Sequence, residues 1–278
     1  LVATVLLALL PACAASAPIA VSTVTATGTA TIAPTVNETA TKTATATYSA
    51  TLSSYSGPVT LQFLGNSCIL ITAPDGTRIV SDPYGDNAHT FGIDPLPKDL
   101  AANAVTVSHS HRDHNNTNAV GGSPRIFKAP GAYQVGMNIV TGYKGYEGSP
   151  FGPDTSIRET IFVFEIAGVK IVHLGDSGPV SQADILAAID NANIVIVSID
   201  QYVIPLEQMM PFLEQIHART IIPVHYDIDP DGSSSYLDAF LKILPSDLVV
   251  VRDESGQIQV TPGMPDEVVV LTPQMQVR

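Results

Sequence analysis

Ala104 to His114 reads AVTVSHSHRDH, a short apolar strand that runs straight into His109, His111, Asp113 and His114. Four ligand-type side chains fall within six residues. In extended backbone, residues two apart point the same way, so His109 and His111 can clamp one ion. Once the chain turns, Asp113 and His114 can face a second. Two further groups follow apolar runs in the same manner. VKIV leads into His173-Leu174-Gly175-Asp176, and TIIPV leads into His225. Strand ends deliver side chains to one edge of a sheet, where a rigid scaffold meets loops. Imidazole suits zinc, manganese or iron, and carboxylates suit harder cations. A carboxylate such as Asp176 can bridge two ions about 3.5–4 Å apart. The pattern therefore points to a metal centre.

Outward from that motif the chain alternates strands and helices. Val59–Leu64, Ser67–Thr72 and Thr77–Ser81 read as a meander, with Pro74-Asp75-Gly76 as a turn. Arg125–Ala129, Ile161–Ile166, Val169–Leu174, Ile194–Ile199 and Thr220–Val224 read as strands. Helices are expected over Gln182–Ile189, capped by Ser181, after Pro205, and over Ser235–Leu244. The stripe Leu206, Met209, Met210, Leu213 and Ile216 is core. Leu248–Arg252 and Gln257–Thr261 read as a hairpin across Ser255-Gly256. The glycine-rich Gly142–Gly152 reads as a mobile loop over the site or a surface connection. Cys68, inside a strand pattern, reads as a small buried hydrophobe. The whole suggests an α/β sandwich.

The 278 residues carry 13 basic and 26 acidic side chains, a net charge of −13. Such a surface repels phosphate backbones, so no nucleic-acid partner is expected. No G-x-x-x-x-G-K or strand-linked G-x-G-x-x-G occurs, so nucleotide cofactors are not indicated. Two cysteines exclude a disulfide framework.

The pieces HSHRDH, HLGDSG and PVHY, in that order, resemble the metallo-β-lactamase superfamily. The opening LGNSCILITAPDGTRIVSDP resembles its lactonase-like branch, the ascorbate-phosphate lactonase homologues, except that Asn66 stands where that branch often has His. The resemblance implies a four-layer αββα sandwich over roughly Val59–Leu244. It implies two divalent ions, most simply zinc, with manganese or iron as alternatives. His109, His111 and His173 would hold the first, Asp113, His114 and His225 the second, and Asp176 would bridge. A bridging hydroxide would be the nucleophile and Asp113 a catalytic proton acceptor. The implied reaction is hydrolysis of a small molecule, a lactone or ester-like carbonyl. A phosphodiester substrate, or a surface module that binds metal without turnover, stands as the alternative.

The N-terminal region reads differently. Leu1–Ala12 is an apolar run too short to span a bilayer, like a signal-peptide core. Leu10-Pro11-Ala12-Cys13 resembles a bacterial lipobox, which would lipidate Cys13; the alternative is an ordinary signal cut near Ala15 or Ala17. Val21–Ser56 holds twelve threonines and only Glu38 and Lys42 as charges, too little apolar surface to offset ordering. The expectation is a signal over 1–12, a stalk over 13–56 and a hydrolase domain over 57–278, exported and tethered to a membrane. Six positions outside the motif complete the reading. His217 is expected at a helix terminus, and His89 in a solvated loop. Asp200, Gln201 and Tyr202 are candidate substrate contacts, and Tyr226 a candidate hydrogen-bond donor, each against an alternative of simple packing.

Overall fold

In the β-rich part of the chain, alternate residues of single strands belong to different cores. A computed structural model describes residues 56–85, 93, 95–149, 154–229 and 233–273. The expected signal, stalk, lipidated Cys13 and His89 lie outside the described residues.

The opening meander forms as read: β1 (Val59–Gly65), β2 (Cys68–Thr72) and β3 (Arg78–Ser81) pair antiparallel in sequence. β4 (Ala104–Thr106) and β5 (Arg125–Phe127) add in parallel. The second sheet holds β6 (Gly131–Val135), β7 (Asn138–Glu147), β8 (Asp154–Ile166), β9 (Val169–His173), β10 (Ile194–Ser198) and β11 (Thr220–Val224). Two late strands complete the sheets: β13 (Gln257–Val260) joins the first, while β12 (Val249–Asp253) and β14 (Glu267–Leu271) join the second. The spatial orders are β13-β1-β2-β3-β4-β5 and β12-β14-β11-β10-β9-β8-β7-β6.

The two sheets face each other across one core. Ile69 and Ile71 of β2 meet Ile194 and Ile196 of β10 there, with Phe162 and Phe164 of β8. The intervening Val195 and Val197 point the other way, onto the helices α1 (Ala183–Ile189), α2 (Leu206–Ile216) and α3 (Ser235–Ile243). Cys68 and Leu70 likewise point outward, under a cover that includes Tyr84, Leu96, Leu100 and Val120. Both faces being covered explains why strands such as IVIVS are continuously apolar. The observed fold is the expected α/β sandwich. Among the described residues its fourth layer, over the six-stranded sheet, is loop with one 3₁₀ turn, Thr117–Ala119.

Local differences from expectation have local causes. Ser181 does not cap α1; Gln182 occupies the cap position without a side-chain bond, and Asp184 supplies the acidic first turn. α3 is capped instead by Ser234, which accepts from the Leu237 amide. Met209, Phe212, Leu213 and Ile216 of α2 are core, as the stripe implied. The hairpin across Ser255-Gly256 is not formed. β12 runs parallel to β14, whereas β13 pairs with β1 in the other sheet. The turn passes the chain between sheets, and alternation within two strands does not reveal that their partners differ. Within the expected loop at Gly142–Gly152, residues 142–147 are strand, since β7 extends to Glu147 and pairs along β8, and residues 150–152 lie outside the described residues. Glycine is needed there for close approach: a Cβ on Gly142 would lie 2.8 Å from the Ala129 carbonyl oxygen.

Candidate metal centre

Six strands end at the edge where the ligand-type residues collect. β4 leads to His109–His114, β9 to Asp176, β11 to His225, β7 to Glu147, β3 to Asp82 and β10 to Asp200. Three imidazoles turn Nε2 toward a single carboxylate oxygen. Asp176 Oδ2 lies 3.7 Å from His109 Nε2, 3.2 Å from His114 Nε2 and 3.6 Å from His225 Nε2. Asp113 Oδ2 lies 3.5 Å from His114 Nε2 and 3.3 Å from His225 Nε2. His111 packs edge-on against His109 with ring centroids 4.6 Å apart, at the open rim of the cluster.

Behind each converging imidazole stands an acid. His109 Nδ1 lies 3.1 Å from Glu159 Oε2 and 3.1 Å from Ser108 Oγ. His114 Nδ1 lies 3.0 Å from Asp82 Oδ2, and His225 Nδ1 3.3 Å from Asp200 Oδ2. A proton on Nδ1, held by Asp82 at His114 and by Asp200 at His225, leaves the Nε2 lone pair aimed inward, which is the tautomer an ion requires.

The backbone around these groups is constrained. Asn66, Asp82 and His225 are non-glycine residues with φ of 50°, 48° and 57°. Such left-handed conformations cost of order 1 kcal/mol each and persist where neighbours hold them. Asn66 supplies some of that restraint: its side-chain amide donates to the Asp113 carbonyl at 3.0 Å and its own carbonyl accepts from His225 N at 2.8 Å. The departure at Asn66 thus ties the β1–β2 turn to two candidate ligands.

Charge follows geometry. Burial alone would raise the Asp176 carboxyl, but His114 and His225 beside it hold it well below the usual range. Asp113 is likewise held low against its burial by the same two histidines, whose Nε2 atoms lie beside its Oδ2. Burial would lower His225, yet Asp176, Asp113 and Asp200 push it up to about 10. His114 is raised in the same way by Asp176, Asp113 and Asp82. His109 is lowered by burial, and Glu159 is raised by burial and by the nearby carboxylates.

Matching the chain to a sequence model described as "Beta-lactamase superfamily domain" spans residues 60–225, more than half its length. The chain belongs to the metallo-β-lactamase superfamily. It is a metal-dependent hydrolase of that superfamily. A UPF0173 metal-dependent hydrolase of Methanoregula boonei is 29% identical over 191 residues, covering 60% of this chain and 82% of the relative. One from Cupriavidus taiwanensis is 26% identical over 229 residues, covering 65% and 78%. A Thermotoga maritima structure, described as a candidate Zn-dependent hydrolase of the superfamily, aligns with a TM-score of 0.60 at 26% identity, covering 76% of this chain and 97% of that one.

Within this superfamily member the expected ligands do not all converge. His109, His111, Asp113, His114, Asp176 and His225 come together; His173 does not. It is fully buried, its Nε2 facing the Ser67 carbonyl at 2.9 Å and its Nδ1 accepting from Gly175 N at 3.1 Å. Both ring nitrogens are engaged with backbone, so His173 does not join the other expected ligands in this structure. Glu147 joins the cluster, its Oε1 3.6 Å from His111 Nδ1. Potential ligand sets are His109/His111/Glu147, His109/His114/Asp176 and Asp113/His114/His225. Their fit to a cation is supported by orphaned atoms: His109 Nε2, His114 Nε2 and Asp176 Oδ1 are buried without a hydrogen-bond partner.

The remaining candidates also separate. Asp200 is not placed as a substrate contact; Oδ1 accepts from Tyr202 N and Val203 N while Oδ2 backs His225. Tyr226 is core, near Phe63, and burial pushes its phenol up to about 12. Tyr202 is exposed on the loop after β10, and Gln201 precedes it with φ 65°. His217 ends α2 and bonds Asp190 at 2.8 Å, the expected helix-terminus role. Cys68 is fully buried and its thiol is pushed up by burial. Asp82, Glu147 and Glu159 are the additions. Asp82 carried a readable signal, an acid directly after an apolar strand; Glu147, in a glycine-rich run, carried none.

Protein stripped of metal should hold protons on His114 and His225 at neutral pH. Loading with divalent ions should then release about two protons near pH 7, read from the buffer dependence of the binding enthalpy. A raised histidine pKa stabilises fully below the unfolded value near 6.5, and this is lost as pH rises through about 10. The melting temperature of stripped protein should fall across that window, and that of loaded protein should not show this fall.

Proposed function

We propose that this chain is a dinuclear hydrolase of lactones or other ester-like carbonyl compounds. The observation that carries the reading is the convergence of three Nε2 atoms on Asp176 Oδ2, each ring backed by an acid at Nδ1. Two divalent ions bound there would polarise a carbonyl oxygen and acidify a water to near neutrality. In this reading His109, His111, Asp113, His114, Asp176 and His225 would hold the ions. Asp113 Oδ2, ionised throughout the working range, accepts a hydrogen bond from the attacking water and takes its proton as the tetrahedral carbon forms. Asn66 fixes the Asp113 backbone so that this oxygen stays in place. Zinc is the first choice of ion, on the count of imidazoles. Lactones are preferred to phosphodiesters because the opening meander resembles the lactonase-like branch.

The N-terminal reading completes the proposal. A lipidated Cys13 and a threonine-rich stalk would hold the enzyme at a membrane outside the cytoplasm. Mass analysis of the chain purified from a bacterial envelope tests this: a diacylglyceryl mass on Cys13 supports it, and a free N-terminus at Ser16 or Pro18 overturns it.

Turnover is tested on the full chain with γ- and δ-lactones, aryl esters and phosphodiesters. The expected result is hydrolysis of a lactone or ester that chelation abolishes and added ions restore. Metal retained with no turnover on any class would overturn the reading in favour of a binding module.

A further inference from the structure

Glu147 is an unplanned member of the cluster, and its setting is built rather than incidental. It ends β7 where the register with β8 shifts, moving from Tyr146↔Arg158 to Glu147↔Asp154. There the strand leaves its β8 partner and joins the loop that carries Asp176. Glu147 bridges to Ser177, Gly148 N donates to the Asp176 carbonyl at 2.9 Å, and Gly178 N donates to the Tyr146 carbonyl at 3.1 Å. Tyr146 Oη also donates to the Pro179 carbonyl. Gly148 permits this path, since a Cβ there would lie 1.9 Å from the Val203 carbonyl oxygen. Glu147 is thereby tied to the same short segment as Asp176, and it is buried.

The ligand atoms of His109, His111 and Glu147 all lie within 4.8 Å of one another. His109 Nε2 is buried and has no hydrogen-bond partner. His173, the expected third ligand, is turned away and engaged with backbone. We propose that Glu147 is the third protein ligand of the ion held by His109 and His111, and that it makes this position favour oxygen-preferring ions more than an all-imidazole site would. The inference rests on the dinuclear reading and deepens it.

The chemistry follows from replacing imidazole with carboxylate. A carboxylate is a harder ligand, which narrows the usual advantage of zinc over manganese or iron(II). It also adds one negative charge. Two divalent ions with Asp113 and Asp176 sum to +2; with Glu147 the sum is +1. The weaker positive charge draws anionic phosphodiesters less and disfavours neutral carbonyl substrates little, in the direction of the proposed substrate class. A mere rim ion pair between Glu147 and His111 would leave ion content and preference unchanged, because exposed pairs contribute little.

The test measures metal directly on the full chain. Wild type, Glu147→Gln and Glu147→His are dialysed after loading with manganese or zinc, then analysed for metal content and for competition between the two ions. Wild type is expected to keep about two equivalents. Glu147→Gln is expected to keep one, with affinity at the lost position down about 10–100-fold. Glu147→His is expected to keep two and to raise the zinc-to-manganese affinity ratio about tenfold or more. The manganese electron paramagnetic resonance spectrum should change from coupled to isolated ions in Glu147→Gln. Two equivalents with an unchanged ion ratio in both variants overturns this inference and leaves the dinuclear reading standing. A wild type that retains no ion overturns both.

Discussion

Asp176→Asn should lower kcat/KM by about 10³-fold or more and reduce retained metal to one equivalent or less, while the fold stays intact. The side chain keeps its volume, so packing is unchanged, but the oxygen shared by three imidazoles loses its charge. His109, His114 and His225 all face Asp176 Oδ2 within 3.7 Å. A neutral amide there does not neutralise two ions, and its N–H groups point at lone pairs that should face metal. A loss of 10³ corresponds to about 4 kcal/mol of transition-state stabilisation, within what ion-mediated charge stabilisation supplies. Steady-state kinetics and elemental analysis on the same preparation check it. Activity within threefold of wild type, with two ions retained, would remove Asp176 from the centre of the mechanism.

What was readable in the chain and what was not divide along a physical line. Strands covered on both faces announce themselves as apolar runs, which is why β2, β9, β10 and β11 stand out. The contiguous His109–His114 segment is legible because its residue types and spacing carry chemistry without knowledge of the fold. His173 satisfies the same pattern yet turns away, because the Ser67 carbonyl and the Gly175 amide engage its two nitrogens. That outcome depends on a turn over a hundred residues away in sequence. Glu147 was hidden for the converse reason. Its neighbours Gly142, Gly145 and Gly148 look like a loop in sequence, but they are places where other chain segments come close. The exchange of β12 and β13 between sheets was equally non-local. Partner choice depends on which edge is open, and nothing in VVVRD or QIQV states that. Glu159, which no pattern in the chain singles out, is buried behind His109.

Asp82 allows the structural and metal-holding parts of the site to be separated. It is fully buried, with Oδ1 accepting from Ser108 N at 2.7 Å, Oδ2 accepting from Ser108 Oγ at 2.6 Å, and Oδ2 3.0 Å from His114 Nδ1. Burial would raise its carboxyl, but the hydrogen bond and charge of His114 hold it below the usual range. A depressed acid stabilises above its unfolded pKa near 3.9 and loses that contribution as pH falls through the folded value. Asp82→Ala removes the partner of a buried imidazolium and orphans the Ser108 amide. It should cost about 3–5 kcal/mol, which for a domain of this size lowers the melting temperature by about 10 °C. Ala also tolerates the φ of 48° at this position poorly, whereas Asn tolerates it well. Asp82→Asn keeps Oδ1 as the acceptor for the Ser108 backbone amide and should melt within a few degrees of wild type. Its amide nitrogen, however, can only donate toward His114 Nδ1, which makes that nitrogen the acceptor and drives the imidazole proton onto Nε2, the atom aimed at the ion. The Asn variant should therefore be nearly as stable as wild type yet bind metal about 10–100-fold more weakly. Equal losses of stability and metal in both variants would mean that Asp82 is only a packing element and that the His114 tautomer is set elsewhere.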